Sequence, residues 1–383
     1  MDRDVKVILN GKEVFGYRGQ KILELCAENG IEIPTLCYDP HLTLHGGCSL
    51  CLVEVKGAKN LVRACAMPIN NGMEIQTMND RVFGARQLAL QLLFSDHVGD
   101  CRPPCQLACP ARGDVKGYVN YAAEGEFRAS LEALHENITL PASIGRICPA
   151  PCEEKCRRNF VDEEPVSIRE IKRFIGDWGI KTGDLGTIPE IKENGKKVAI
   201  VGGGPGGLSA AYYLRRMGYA ITLFDKESAL GGMMRFGIPD YRLPQPVLQK
   251  EIDWIIDHGI ETRLGVTLGK DVTLDELRKD YDSVLLAFGC WRSLPMRVPG
   301  EDLKGVLGGI NFLYEVNNGR KVDVGDRVAV IGGGNTAMDA ARCALRSGAH
   351  KVYVVYRRTR DEMPAEKLEI DEAMEEDVEF IFL

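Results

Sequence analysis

The sequence predicts a multidomain chain of mixed α+β and α/β class: a small β-grasp unit, a helical stretch and two Rossmann-like units in series. Three observations predict it. Eleven of the thirteen cysteines fall before residue 157, residues 81–185 carry helical apolar patterns, and a strand, a glycine-rich turn and a helix recur after residue 196.

With 383 residues the chain can bury several cores, so it does not need disulfides to fold. It opens on charged, strand-like MDRDVKVILNGKEV without the apolar run of a secretion signal. No stretch reaches the roughly 18 apolar residues of a membrane helix. A cytoplasmic protein with no membrane insertion is therefore expected. The net charge of −7 is spread along the chain, which argues against a basic nucleic-acid-binding surface. In a reducing compartment, clustered cysteines hold metal more often than they pair.

Residues 1–80 read as strand VKVILN, a turn at Asn10-Gly11, strand EVFGY, helix KILELCAENG, then strands LCLVEVK and EIQTM. Hairpin, helix and further strands around a cysteine-bearing loop suit a β-grasp unit. Residues 81–185 hold the helices RVFGARQLALQLLFS, VKGYVNYAAEGEFRASLEALHE and VSIREIKRFIGDWGI between Pro-Cys segments. Residues 186–300 and 301–383 alternate strand and helix. The opening KKVAIVGGGPGGLSAAYYLRRMG returns 130 residues later as DRVAVIGGGNTAMDAARCALRSG.

In the first domain Cys37, Cys48, Cys51 and Cys65 are spaced C-x10-C-x2-C-x13-C. Thiolates are the usual ligands of iron-sulfur clusters, and the loop His45-Gly46-Gly47 lets backbone N–H groups approach the sulfides. A structural zinc site and disulfides are the alternatives. Cys26, inside an apolar helix, reads as plain core. The first interval departs from the plant-type ferredoxin spacing. It resembles instead the N-terminal [2Fe-2S] domain of the large iron-sulfur subunit of respiratory complex I, of iron hydrogenases and of some formate dehydrogenases. The resemblance implies that these four cysteines hold a [2Fe-2S] cluster.

DHVGDCRPPCQLACPARGD carries Cys101, Cys105 and Cys109, and RICPAPCEEKCRRN carries Cys148, Cys152 and Cys156. Their prolines argue against uninterrupted helices, so the cysteines read as ligands on Pro-shaped loops. Both segments resemble the di-cluster domain of the glutamate synthase small subunit and of dihydropyrimidine dehydrogenase. That resemblance implies two [4Fe-4S] clusters with interleaved ligands: Cys101, Cys105 and Cys156 on one, Cys109, Cys148 and Cys152 on the other. Six cysteines leave two corners open. His97, placed like the histidine ligand of the complex I subunit, is either a ligand or an ordinary helix-end histidine. The family's Glu or Gln ligand falls on Lys172, whose ammonium cannot bind iron, while Glu170 points from another side of its helix. One or two [4Fe-4S] clusters are therefore expected.

The first Rossmann-like unit has Gly202, Gly204 and Gly207 between strand and helix, and Asp225 at the end of the second strand. The glycines permit a tight turn and bring a pyrophosphate to the helix N-terminus, and the acid can accept from ribose hydroxyls. The second unit has Gly332, Gly334 and Ala337, and its second strand ends in Tyr356-Arg357-Arg358 instead of an acid. Guanidinium groups there fork onto a 2'-phosphate and favour NADPH over NADH. Arg360 either assists or belongs to a solvated basic turn.

Order and segments, including GGMMRFGIPDYRLP and YRRTRDEMPA, resemble the glutamate synthase small subunit over residues 95–383. The resemblance implies FAD in the first unit, with Gly231, Gly232 and Gly237 near the flavin, and NADPH in the second. It also implies that EEDVEFIFL stops midway through the NADPH domain, so that domain is expected to be incomplete and the chain to be the N-terminal part of a longer protein. The expected function is an iron-sulfur flavoprotein oxidoreductase. It would move electrons between NADPH and a redox protein or catalytic subunit of a hetero-oligomeric complex, through FAD, [4Fe-4S] and [2Fe-2S] centres. Hydride transfer requires no side-chain acid or base, so no catalytic residue is expected. A non-catalytic wiring module is one alternative. A pyridine nucleotide-disulfide reductase is another, and it needs a C-x-x-C beside the flavin.

Overall fold

Residues Asn10 and Gly11 both take positive φ, 50° and 81°, and close an antiparallel hairpin between β1 (Val5–Leu9) and β2 (Lys12–Gly16). The computed structural model describes residues 3–97 and 101–383, which divide into two compact units, Met1–Cys101 and Arg102–Leu383. In the first unit β1 alternates, burying Val5, Val7 and Leu9. Helix α1 (Ile22–Glu28) adds Ile22, Leu25 and Cys26 to the same core. Cys26 is thus a core residue, its thiol pushed up to about 11 by burial. Strands β3 (Leu52–Val55), β4 (Val62–Arg63) and β5 (Met73–Gln76) complete a sheet of order β2-β1-β5-β3-β4, with β5 parallel to β1. Helix α2 (Asp80–Ser95) starts at Asn79, whose side chain accepts the Val82 N–H at 2.9 Å.

The second unit begins with α3 (Pro104–Ala108), α4 (Val115–Ala123), α5 (Phe127–His135), α6 (Pro141–Ile147), α7 (Pro151–Glu154) and α8 (Ile168–Thr182). The run expected as one helix over VKGYVNYAAEGEFRASLEALHE is two, α4 and α5, broken at Gly125 with φ +79°. Helices α6 and α8 approach almost backbone to backbone: a Cβ on Gly176 would stand 2.3 Å from the Ala142 nitrogen.

Two parallel sheets follow. Strands β6 (Lys197–Val201), β7 (Ala220–Asp225), β8 (Glu261–Leu264) and β9 (Ser283–Leu286) are ordered β8-β7-β6-β9, with α9 (Pro205–Arg216), α10 (Met233–Phe236), α11 (Gln245–Ile256) and α12 (Leu274–Asp280) between them. After α13 (Gly309–Asn317) come β10 (Arg327–Ile331), α14 (Asn335–Arg346), β11 (Lys351–Tyr356), α15 (Lys367–Glu375) and β12 (Glu379–Phe382), with sheet order β10-β11-β12. Arg242, just before α11, ties the two dinucleotide units together. It donates to both Asp339 oxygens at 2.8 Å and pairs with Glu369 at 2.7 Å, all three side chains largely buried. No helix among the described residues is long and apolar enough to cross a membrane.

Helix α11 also grips the cluster-bearing helices. The buried Glu251 carboxylate accepts N–H groups of Ala142 (2.7 Å) and Ser143 (2.9 Å), buried donors at the start of α6 that have no partner within the helix. Burial pushes Glu251 up to about 7, against the pull of those donors and of Arg146. The native state therefore holds a proton that the unfolded chain gives up near pH 4.5. Stability is expected to fall as pH rises from about 4.5 toward about 7, by up to about 3 kcal/mol. Denaturant unfolding across that window checks it: Glu251→Gln should flatten the slope, and an unchanged slope would count against the assignment.

Candidate cofactor sites

The first four cysteines converge through the sheet. Cys51 immediately precedes β3 and Cys65 follows β4; the Ala64 N–H donates to the Cys51 carbonyl at 3.0 Å, bringing the two sulfurs within 3.3 Å. From the loop before β3, the Cys48 N–H donates to Cys37 Sγ at 3.4 Å. All four thiols are free, and 3.3 Å is well beyond the roughly 2.05 Å of a disulfide. Cys65 is pushed up to about 12, first by burial, then by Cys51, Cys37 and Cys48. Cys48 moves the other way: burial opposes it, but N–H donors of the loop outweigh burial. Four sulfurs in one neighbourhood repel as thiolates, and a cationic iron-sulfide core relieves that repulsion, so the set fits a [2Fe-2S] cluster. Among the described residues no three His, Cys, Asp or Glu groups close around a single ion. A cluster spaces its thiolates more widely, because its irons are separated by bridging sulfides.

His97 stands with Nε2 at 3.3 Å from Cys101 Sγ, so the two side chains point to one place. In the second unit, Pro104 and Pro151 start α3 and α7, which puts Cys105 and Cys152 in first turns. Cys109 ends α3, Cys148 ends α6, and Cys156 precedes a single turn at Arg157–Phe160. Ala150 takes a left-handed φ of 54°, and its N–H donates to Cys148 Sγ at 3.4 Å. Cys105 is raised by burial, with Cys156 adding to the rise. Cys152 is pushed up to about 11 by burial, then by Cys148 and, more weakly, Cys109, while Lys172 opposes. Lys172 is buried on α8, whereas Glu170 is exposed and paired with Arg169 and Arg173. Tyr118 was not legible in the sequence, where it looks like an ordinary core aromatic. It is buried on α4, and burial raises its hydroxyl, helped by Cys152, Cys109, Cys105 and Cys148.

The first glycine cradle is built by close approach. Gly202 has φ +113°, and a Cβ on Gly207 would stand 1.8 Å from the Gly202 carbonyl oxygen. Gly232, at φ +51°, lies against Gly204, where its Cβ would come within 2.6 Å of Gly204 Cα, and the Gly231 N–H donates to the Gly203 carbonyl at 2.8 Å. Asp225 is buried at the end of β7. Its oxygens accept the N–H groups of Gly203 (2.6 Å) and Glu227 (2.8 Å), which shapes the turn and leaves about two carboxylate lone pairs for hydroxyl donors. The narrow, side-chain-free turn at the N-terminus of α9 fits a dinucleotide pyrophosphate.

In the second cradle Gly332 has φ +141°, Gly334 leads into α14 and Ala337 is buried in its first turn. Arg357 and Arg358 follow β11 and are exposed at the strand end. Arg360 is paired with Asp371 at 2.5 Å, so its guanidinium is already engaged.

Three family models match in series: a 2Fe-2S iron-sulfur cluster binding domain over residues 2–80, the 4Fe-4S domain II of dihydropyrimidine dehydrogenase over 96–184, and pyridine nucleotide-disulphide oxidoreductase over 196–381. The chain is 45% identical over 284 residues to the NADPH-Fe(3+) oxidoreductase subunit beta of Geobacter sulfurreducens, covering 73% of this chain and 42% of that one. It is 42% identical to the NADP(+)-dependent formate dehydrogenase subunit beta of Moorella thermoacetica, covering 73% and 43%. It is 37% identical to the glutamate synthase [NADPH] small chain of Escherichia coli, covering 73% and 62%. The chain thus spans under half the length of the first two relatives. Mixed α/β architecture, with iron-sulfur domains followed by Rossmann-like parallel sheets, is common ground between these matches and the fold.

Proposed function

We propose that this chain, homologous to the glutamate synthase small chain and the NADPH-Fe(3+) oxidoreductase subunit beta, is an oxidoreductase that passes electrons between NADPH and a partner redox protein or catalytic subunit of a hetero-oligomeric, cytoplasmic complex. The carrying observation is the series within one chain: a four-cysteine set, two further cysteine groups and two glycine cradles. When bound, FAD exchanges a two-electron equivalent with NADPH and the clusters pass the electrons singly.

The chain's own residues hold these groups in four domains: a [2Fe-2S] β-grasp domain (1–80), a helical [4Fe-4S] domain (81–185), an FAD domain (186–300) and an NADPH domain (301–383). Cys37, Cys48, Cys51 and Cys65 hold the [2Fe-2S] cluster. Cys101, Cys105 and Cys156, with His97, hold one [4Fe-4S] cluster, and Cys109, Cys148 and Cys152 hold the second, with Lys172 facing its open corner. Gly202, Gly204, Gly207, Asp225 and Gly232 seat FAD; Gly332, Gly334, Ala337, Arg357 and Arg358 seat NADPH. A dithiol reductase is disfavoured by the cysteines within 196–381: Cys290 is exposed, while Cys343 is buried and pushed up to about 12, first by burial.

Anaerobic purification with iron, sulfide and flavin analysis, and EPR after NADPH addition, tests the reading. About ten irons per chain, FAD and NADPH-reducible cluster signals are expected. About six irons would mean that a single [4Fe-4S] cluster assembles. Clusters without flavin would overturn the NADPH role and leave an electron-wiring module.

A further inference from the structure

Arg86 is a buried cation without an anion. It lies on α2, 7% exposed, and its Nε–H and Nη2–H both donate to one acceptor, the Leu52 carbonyl, at 3.0 and 2.7 Å. Among the described residues no carboxylate pairs with it. The acid on the adjoining strand, Glu54, is taken by Arg81 and Asn79 at 2.6 Å each. One shared carbonyl does not repay the desolvation of a guanidinium, which costs several kcal/mol even after relaxation. The groups that do act on it favourably are sulfurs. Burial pulls Arg86 below its ordinary value, and Cys51 and Cys26 work against that fall. Leu52 is the residue after Cys51, so the guanidinium is clasped to the backbone that carries a cluster ligand.

We propose that Arg86 is the built-in counter-charge of the [2Fe-2S] site, a positioning residue that fixes the Cys51-Leu52 segment and raises the cluster's reduction potential. The argument rests on the [2Fe-2S] reading of the four cysteines. Two ferric ions, two sulfides and four thiolates carry a net double negative charge, and one-electron reduction makes it triple without a proton. A fixed positive charge in a poorly solvated site therefore stabilises the reduced form more than the oxidised form. The same residue explains why α2 starts as part of the iron-sulfur unit: Arg86 and Val82 are the side chains that it buries there.

The test is an EPR-monitored redox titration of the reconstituted full chain and its Arg86→Gln and Arg86→Lys variants. Arg86→Gln should lower the [2Fe-2S] potential by at least the equivalent of a tenfold change in the reduced-to-oxidised ratio, about 59 mV for one electron. Arg86→Lys keeps the charge and should recover more than half of that shift. Equal shifts in both variants, or none, would overturn the proposal. If Arg86→Gln fails to load the cluster, thermal unfolding of the apo chains decides. Removing an uncompensated buried cation should leave the apo melting temperature unchanged or higher, whereas a fall would make Arg86 merely structural. A wild-type chain without any [2Fe-2S] signal would sink the cluster reading itself, and this inference with it.

Discussion

Replacing Cys51 with alanine is expected to remove the [2Fe-2S] EPR signal to background and to lower iron content by the two irons of that cluster. Cys51 is 1% exposed, and its sulfur lies 3.3 Å from Cys65 Sγ, a thiol on which Cys37 and Cys48 also act. Val53, Ala64 and Ile75 belong to the same buried apolar core as Cys51, and none of them can replace the lost thiolate. Alanine fills the site without adding a polar group, so the fold should survive the loss of metal. The [4Fe-4S] cluster assigned to Cys109, Cys148 and Cys152 should be retained, because Arg102–Leu383 has its own cores. Flavin reduction by NADPH should continue while delivery of electrons through the [2Fe-2S] centre stops. A [2Fe-2S] signal of wild-type intensity in Cys51→Ala would refute the ligand assignment.

The double change Arg357→Ala, Arg358→Ala should weaken NADPH binding by about a hundredfold and leave NADH binding nearly unchanged. Both guanidinium groups follow β11, where a dinucleotide fold presents its adenosine ribose, and both are exposed to an incoming phosphate. A charge-assisted hydrogen bond contributes about 1.5–3 kcal/mol. Solvent screening favours the low end, which corresponds to roughly tenfold per arginine. Titration calorimetry with NADPH and NADH separates a lost phosphate contact from a damaged site: equal weakening of both nucleotides would refute the 2'-phosphate role. Arg360→Ala should matter much less, because Asp371 already engages that side chain.

Much of this was legible because the signals are local. Glycine at 202, 204 and 207 follows from steric limits that act within a few residues, and the structure places a backbone oxygen 1.8 Å from where a Gly207 side chain would begin. The Asn10-Gly11 hairpin and the alternation of β1 are local in the same sense, since turn type and strand period are properties of adjacent residues. The apolar period over 115–136 continues across Gly125 and so predicts one helix where the chain forms two. The left-handed turn there depends on α4 and α5 folding back on each other.

The residues that escaped the sequence reading act across the fold. Glu251 reaches backbone donors 108 and 109 residues away, and Arg86 reaches a carbonyl 34 residues away. Tyr118 stands among cysteines from two separate segments. In the sequence, Glu251 and Arg86 are charged residues on helices, a pattern that usually means a solvated face. The identity of the cysteines and glycines determined which cofactor chemistry the chain is built for, because those residue types and spacings have few other physical uses. Only the tertiary structure decided which charges are withheld from water, and so which of them act on those cofactors, because desolvation depends on what packs above a side chain and not on its neighbours in sequence.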